Sequence, residues 1–323
     1  MPPATSDNPF TGVQTLKVGP ERDGQRIDNA LAAMLKGVPR AAIYRLLRTG
    51  QVRVNAKRAK PDTRLATGDL LRIPPVRTAQ REGSGAPPAA LVQQLAASVI
   101  FEDRDFLAID KPAGIASHGG SGVSFGAVEL LRAARPSAHL ELAHRLDRDT
   151  SGVLLFARTR TGLTGVQALI RAGEVKKQYL CLLTGKLERA KFDVNAPLRK
   201  SVLSGGERMV RVDDAGKPAL TFFREIERYR DASLVEATLD TGRTHQIRVH
   251  AAHAGHPIAG DPKYGAREAN KRFREIGLKR LFLHAGRLQF DLGGRAYSFS
   301  TPLPEELRSV LDALQLGRLF FRE

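Results

Sequence analysis

The chain has 323 residues, which corresponds to about two domains of ordinary size. Its 51 Lys and Arg residues outnumber its 34 Asp and Glu residues, and the formal net charge is +17. This excess predicts a polyanionic partner, either nucleic acid or an anionic membrane surface. A membrane helix is excluded by the lack of a long apolar run, and an internal disulfide by the presence of only one cysteine, Cys181. Without the basic and apolar parts of a signal peptide at its start, the protein is expected to be cytoplasmic.

The first part of the chain predicts a leader followed by a small α/β unit. Residues 1–23 carry Pro, Gly and polar residues without hydrophobic periodicity, which favours a flexible leader. Residues 24–77 then show two runs with helical spacing followed by two strand-like stretches. The predicted helices lie around Ile27–Leu35 and Ile43–Leu47, and the predicted strands at Gln51–Asn55 and Gly68–Pro74.

Positive charge is concentrated in residues 24–77, which carry twelve Lys and Arg residues against three Asp residues, a net charge of +9. Arg45 and Arg48 are one helical step apart and can share a helix face. Scattered basic residues usually belong to a solvated face, but the scarcity of acidic residues here favours a phosphate-binding surface. The residues expected to form it are Arg40, Arg45, Arg48, Lys57, Arg58 and Lys60.

A linker and a larger α/β domain are predicted for the rest of the chain. Residues 78–90 are rich in Gly, Ser and Pro and predict a linker, and residues 91–323 alternate strand-like and helix-like stretches. The predicted strands are Ser98–Phe101, Phe106–Asp110, Val153–Ala157, Tyr179–Leu183, Leu220–Phe223, Leu234–Leu239 and Leu281–Leu283. The predicted helices are Gly126–Ala134, Leu163–Arg171, Ile247–Ala254 and Pro304–Leu314.

Two patterns suggest chemistry that the rest of the sequence does not support. Gly122–Gly126 matches the G-x-S-x-G motif of serine hydrolases, with Ser124 as nucleophile, but that motif needs an apolar strand running directly into the serine. The nearest predicted strand, Phe106–Asp110, ends well before it, so a serine esterase is the least favoured alternative. Four histidines at 245, 250, 253 and 256 lack the thiolates and the tight spacing of a zinc site, and no metal is predicted.

The segment richest in chemistry is His144–Gly152, HRLDRDTSG, a predicted loop between two strands. It carries two carboxylates, Asp147 and Asp149, among basic residues. In isolation it would be interpreted as a salt-bridged turn. Two further segments favour a functional site over a simple turn. Asp240–His250 has the sequence DTGRTHQIRVH and leads into a predicted helix. Lys176–Tyr179 begins a predicted strand and carries a tyrosine.

Together these segments resemble the RluA-type family of RNA pseudouridine synthases, and within it the RluC branch, which modifies large-subunit ribosomal RNA. The N-terminal unit, from Gly24 to about Pro75, resembles the S4 RNA-binding domain. The resemblance covers nearly the whole chain and implies a mixed, largely antiparallel catalytic sheet preceded by a small S4-like α/β domain. Beyond the segments above, it rests on Lys111–Gly114 (KPAG), His118–Gly122 (HGGSG) and Gly255–Pro262 (GHPIAGDP).

The resemblance also implies roles for individual residues. Asp147 is the expected catalytic carboxylate, Tyr179 is expected to stack on the target uracil and to help remove its C5 proton, and Arg248 is expected to hold Asp147 ionised through a bidentate contact. Arg243 is expected to bind RNA phosphates. On spacing alone Asp149 is an alternative nucleophile, and it ranks second.

The implied reaction needs no additional group. Because uridine and pseudouridine are isomers, no cofactor and no metal are expected. The expected partner is 23S ribosomal RNA, with no protein partner and a monomeric state. An alternative from a different class is a non-catalytic RNA-binding or ribosome-assembly protein built on the same scaffold.

Overall fold

The structure of the chain, a computed structural model, describes residues 12–35, 38–76, 86–120, 123–202 and 208–320. Two units, Met1–Ala86 and Pro87–Glu323, divide the chain within the predicted linker at 78–90. Most of that linker lies outside the described residues. No helix in the described part of the chain has the length and apolar character needed to cross a bilayer.

The N-terminal unit packs two helices against a four-stranded antiparallel sheet. In the second helix, Ile43, Leu46 and Leu47 are buried whereas the arginines on the same helix are exposed, which is the amphipathic arrangement that its sequence predicts. The elements are β1 (Gln14–Lys17), α1 (Ile27–Met34), α2 (Arg40–Arg48), β2 (Arg53–Val54), β3 (Lys57–Arg58) and β4 (Leu70–Ile73), with the sheet order β1-β4-β2-β3 and a 3-10 turn at Pro20–Arg22.

The prediction of a flexible leader over residues 1–23 is wrong for its last part. β1 pairs with β4 along its whole length, from Gln14 opposite Ile73 to Lys17 opposite Leu70. Val18, directly after β1, is buried in the core of the unit. A four-residue edge strand that buries only one face leaves too short an alternation to detect in the sequence. Residues 1–11 lie outside the described residues.

The second unit is built on a ten-stranded sheet whose pairs are antiparallel except for one. Its helices are α3 (Ala89–Ala97), α4 (Ala127–Ala134), α5 (Arg160–Ala172), α6 (Gln246–His253), α7 (Arg267–Glu275) and α8 (Glu305–Phe320). Its strands are β5 (Val99–Glu102), β6 (Phe106–Lys111), β7 (Glu141–Leu142), β8 (Ser151–Ala157), β9 (Lys176–Thr184), β10 (Lys191–Asn195), β11 (Leu198–Val202), β12 (Arg208–Val212), β13 (Leu220–Arg228), β14 (Ala232–Leu239), β15 (Leu283–Leu292) and β16 (Arg295–Ser300). This architecture confirms the predicted fold class.

The order of the strands places the chemistry-bearing segments next to each other. The main path of the sheet is β10-β13-β14-β9-β15-β8-β6-β5, with β16 beside β15, β7 beside β8, and β11 and β12 forming a separate hairpin. β15 and β8 make the one parallel pair among the described strands, and Gly152 on β8 has φ of +109°. A Cβ there would collide with the carbonyl oxygen of Ala285 on β15, so only glycine allows the two strands to approach.

The structure corrects two predicted boundaries and adds a helix that was not predicted. α3 begins at Ala89, inside the predicted linker, and the short strand predicted at Leu281–Leu283 is replaced by the ten-residue β15. α7 has no counterpart among the predicted helices. It buries only Phe273, and its sequence, REANKRFRE, has too few apolar residues to indicate a buried helix face.

Candidate active site

Asp147 lies in the loop between β7 and β8, and the backbone on both sides of it is fixed. The Ser117 hydroxyl donates to the Leu146 carbonyl at 2.8 Å and accepts from the Leu146 amide at 2.9 Å. On the other side, the Arg148 carbonyl accepts from the Gly114 amide at 2.9 Å. Hydrogen bonds on both neighbours leave the Asp147 side chain little freedom to move with its backbone.

A buried lysine, Lys111 at the end of β6, also supports this loop. Its Nζ donates to the carbonyls of Pro112, Ile115 and Arg148 at 2.8, 2.7 and 3.1 Å, and its side chain is fully buried. Burial lowers the pKa of Lys111 to about 7, while the three carbonyl acceptors match the three hydrogens of an ammonium. Lys111 therefore ties the KPAG segment to the residue that follows Asp147.

Replacing Lys111 with methionine should destabilise this unit by about 3 kcal/mol, because buried carbonyls lose their donor. Urea unfolding of the purified protein measures the loss. Lys279→Met is the control, since Lys279 is exposed, and its change should stay within about 0.5 kcal/mol. Equal stabilities for the two variants would contradict a supporting role for Lys111.

The far end of the loop is fixed by a buried hydrogen-bond chain. Arg280 Nη2 donates to Ser151 Oγ at 2.9 Å, and Ser151 Oγ lies 2.9 Å from His284 Nδ1. His284 Nε2 lies 3.0 Å from Thr301 Oγ1. Burial lowers the pKa of His284 to about 4, so the imidazole is neutral, and one of its ring nitrogens donates a hydrogen bond while the other accepts one.

One oxygen of Asp147 is occupied and the other is available. Arg248 Nη1 lies 3.4 Å from Asp147 Oδ2, and His245 Nε2 lies 3.8 Å from the same oxygen. The Asp147 side chain is 25% exposed. Its Oδ1 forms no hydrogen bond with any described residue. The Asp147 carboxylate thus has one free oxygen, while the guanidinium of Arg248 offsets its negative charge at the other oxygen.

The predicted bidentate contact of Arg248 with Asp147 is wrong, because Asp261 is the bidentate partner. Arg248 Nε and Nη2 donate to the two Asp261 oxygens at 2.7 and 2.8 Å, and the Asp261 side chain is fully buried. Burial alone would raise the pKa of Asp261, but the hydrogen bonds and charge of Arg248 outweigh it and hold that pKa below its usual range. A wholly buried carboxylate needs a full ion pair, whereas the partly solvated Asp147 does not.

His245 is oriented by a hydrogen-bond chain that begins on the β11–β12 hairpin. The Val210 amide donates to Tyr264 Oη at 3.1 Å, so the tyrosine hydroxyl donates to His245 Nδ1 at 2.8 Å. Burial lowers the pKa of His245, which favours the neutral ring, and a neutral ring that accepts at Nδ1 carries its hydrogen on Nε2, the nitrogen nearer to Asp147. His245 also adopts a left-handed backbone conformation, φ +54°, directly before α6.

Tyr179 and Asp147 line the same cavity, whose volume is about 590 Å³. Tyr179 lies on the central strand β9, and both burial and the charge of Asp147 raise its pKa. The side chain is therefore a neutral phenol, which suits stacking and argues against a resting phenolate base at C5. Other polar residues that line this cavity include His144, Arg145, Lys177, Arg243 and His245.

The structure separates the second carboxylate from this cavity. Asp149 Oδ1 lies 3.0 Å from Arg148 Nε. Asp149 lines a different cavity, of about 750 Å³, together with Lys111 and Arg280. This contact with Arg148 supports a structural role for Asp149 within the loop.

The two disfavoured patterns find no support in the geometry. The last described strand before Ser124 ends at Lys111, so no strand runs into that serine, and Ser121 and Gly122 lie outside the described residues. His250 is buried between Thr221 and the Ala196 carbonyl, and His256 faces the Thr184 carbonyl. Among the described residues no three His, Cys, Asp or Glu side chains gather as metal ligands.

The residues predicted to contact phosphates are exposed. Those of the N-terminal unit lie on α2, on β3 and just after β3, and Arg58 crosses Gly50 at the end of α2. They are Arg40, Arg45, Arg48, Lys57, Arg58 and Lys60. In the second unit Arg243 is exposed beside the cavity, with its Nε donating to the Pro218 carbonyl at 3.1 Å. Lys36 and Arg77, two of the twelve basic residues counted above, lie outside the described residues.

Sequence reasoning missed two residues of this site, Asp261 and Tyr264, and gave His245 no role beside Asp147. Asp261 belongs to the GHPIAGDP segment, where nothing in the spacing indicated a partner for Arg248. Such a signal could have come from Asp261 being an acidic residue in an otherwise apolar and glycine-rich stretch, since carboxylates there are buried only when paired.

Comparison with known proteins agrees with this geometry. Residues 105–253 match the RNA pseudouridylate synthase family, and residues 25–71 match the S4 domain. The chain is 48% identical to ribosomal large subunit pseudouridine synthase C of Yersinia pestis over 314 residues, covering 96% of this chain and 98% of the relative. The protein of the same name from Escherichia coli (strain K12) is also 48% identical, over 95% and 98% of the two chains.

A solved structure shows a similar fold over about two thirds of this chain. Human RNA Pseudouridylate Synthase Domain Containing 1 superimposes with a TM-score of 0.55 at 25% identity, covering 68% of this chain and 94% of that one. Residues 105–253, which match the family, include Asp147, Tyr179 and Arg248, and all three line one cavity. Similarity of this extent, along nearly the full length of the bacterial relatives, shows that this chain belongs to the family of RNA pseudouridine synthases.

Proposed function

We propose that this protein isomerises specific uridines of 23S ribosomal RNA to pseudouridine, with Asp147 as the catalytic carboxylate. The relatives named above carry the large ribosomal subunit in their names. The observation that carries the proposal is the free Oδ1 of Asp147, a residue that lines a cavity beside a buried tyrosine and whose other oxygen contacts the guanidinium of Arg248.

The chemistry of the isomerisation matches these groups. The N1–C1′ bond of uridine breaks, a C5–C1′ bond forms, the C5 proton leaves and N1 gains a proton, so that atoms and electrons balance without a redox step. An ionised carboxylate can attack or stabilise the sugar or the base while the glycosidic bond is broken. Tyr179 stacks on the uracil, and Arg248 keeps positive charge behind Asp147 throughout.

Binding of the RNA is the second requirement, because the target uridine must leave its helix at a cost of a few kcal/mol. The exposed basic residues of the S4 unit and Arg243 supply phosphate contacts that offset this cost. The net charge of +17 agrees with a polyanionic substrate. We further propose that the protein works in the cytoplasm; its monomeric state stays a prediction.

Mapping pseudouridines in an unmodified 23S rRNA transcript incubated with the purified protein tests the proposal. New pseudouridines at discrete positions are expected. Tight RNA binding without any modification would instead establish the non-catalytic alternative. Ester hydrolysis that is lost in Ser124→Ala and kept in Asp147→Ala would establish the esterase.

Tyr264→Phe should lower kcat about fivefold and leave KM for RNA unchanged, since it removes one hydrogen bond that orients His245. Steady-state kinetics on the transcript measure both constants. Tyr297→Phe is the matched control, because Tyr297 is buried in another part of the second unit and its hydroxyl faces Asp103. If both variants kept the wild-type kcat, the hydrogen-bond chain to His245 would have no part in the reaction.

A further inference from the structure

Lys177 is a buried cation in the catalytic cavity to which the mechanism above gives no role. It lies on β9 two residues before Tyr179, so both side chains project from the same face of the sheet, about 7 Å apart along the strand. Both line the cavity, and Lys177 is only 6% exposed. A lysine so deeply buried normally has a charged or hydrogen-bonded partner.

No described residue supplies that partner. Lys177 Nζ forms no hydrogen bond and no ion pair with the described residues. Burial lowers the pKa of Lys177, the charge of Asp240 opposes this without forming an ion pair, and the nearby guanidinium of Arg243 adds to it. The site therefore holds two cations whose mutual repulsion is not offset by a carboxylate in contact.

The surroundings of the amine leave room for an anion rather than for a protein group. The chain comes close at Gly242, where a Cβ would lie 3.6 Å from Lys177 Nζ, and the absence of a side chain there keeps the amine open to the cavity. The neighbouring His144 does not compete for an anion, because burial and the charge of Lys177 lower its pKa to about 4 and its Nε2 accepts from the Leu155 amide.

We propose that Lys177, together with Arg243, binds a backbone phosphate of the flipped target nucleotide. Resting on the proposed function, this inference adds a phosphate subsite to the cavity. In a nucleotide the ribose separates the base from its phosphate. A uracil stacked on Tyr179 with its ribose towards Asp147 would then place a phosphate within reach of Lys177, two residues earlier on β9. A lysine ammonium is a point charge suited to this contact.

The test compares Lys177→Met and Lys177→Arg with the wild type on the unmodified 23S rRNA transcript at increasing KCl concentration. The plot of log(kcat/KM) against log[KCl] falls with a negative slope, and each neutralised phosphate adds about one unit to the magnitude of that slope. Lys177→Met is expected to lower kcat/KM about tenfold at low salt and to reduce the slope by about one. Lys177→Arg, which keeps the charge, is expected to retain the wild-type slope.

Lys176→Met is the matched control, because Lys176 is the preceding residue of the same strand, is exposed and does not line the cavity. A Lys177→Met slope equal to that of the wild type would overturn the phosphate subsite. Lys177→Gln provides a second neutral variant should the methionine lower the melting temperature. If the wild type forms no pseudouridine, the proposed function is overturned. If the wild type is active but Lys177→Met has the same salt slope, only the phosphate subsite is overturned.

Discussion

Asp147→Asn is expected to abolish pseudouridine formation, lowering kcat/KM by at least about 10⁴-fold, because the amide can neither attack nor stabilise a developing cation. The substitution keeps the size of the side chain. It removes one 3.4 Å contact with Arg248, whose main partner is Asp261, so the fold and the RNA affinity should be retained. Pseudouridine mapping, filter binding of the transcript and thermal unfolding measure the three properties.

Asp149→Asn is the control for this loss. Asp149 lies in the same loop but contacts Arg148 and lines a different cavity, so its variant should retain activity within a few-fold. The reverse result, an active Asp147→Asn and an inactive Asp149→Asn, would transfer the catalytic role to the second carboxylate. Loss of RNA binding in Asp147→Asn would place the residue in recognition rather than in chemistry.

Arg248→Met should remove activity and also destabilise the protein by about 3–5 kcal/mol, because it leaves the Asp261 carboxylate buried without its ion-pair partner. Urea unfolding near neutral pH measures the second effect. Arg243→Met, which removes an exposed arginine from the same segment, should change stability by less than about 0.5 kcal/mol.

The difference in the free energy of unfolding between the wild type and Arg248→Met should become smaller at acidic pH. In the wild type the pKa of Asp261 lies below its ordinary value of 3.8, so its stabilising contribution is complete above pH 3.8 and is lost as pH falls through the depressed value. In the variant, a buried and unpaired carboxylate takes up a proton more readily, and neutral Asp261 no longer needs a cation. A gap that stays constant down to pH 3 would contradict the ion pair as the source of the loss.

Elements with strong hydrophobic patterns were predictable. The buried runs at β6 and β8, and the amphipathic α5, appear close to where their periodicity places them. Several of the elements that escaped prediction bury little of their own length. α7 buries only Phe273, β1 is a short edge strand, and the β11–β12 hairpin carries charged residues on a small separate sheet.

For the site, the sequence indicated which segments matter but not how they pair. The loop position of Asp147 and the helix entry of Arg248 are local properties, and both were predictable. The pairing of Arg248 with Asp261, and the chain from Val210 through Tyr264 to His245, join residues from separate segments. Such contacts depend on tertiary packing, and spacing along the chain carries no information about them.

The double attachment of Arg248 has a consequence for turnover. In the reaction proposed above, the Asp147 oxygen bonds to the sugar, bonds to the pyrimidine or accepts a proton, and in each case the carboxylate loses its negative charge partway through the cycle. Because the guanidinium is held by a second, permanently anionic partner, it does not become an isolated cation at that moment. Arg248 can therefore keep its position while Asp147 is uncharged, and the starting carboxylate can be regenerated without rearrangement of the side chains around it.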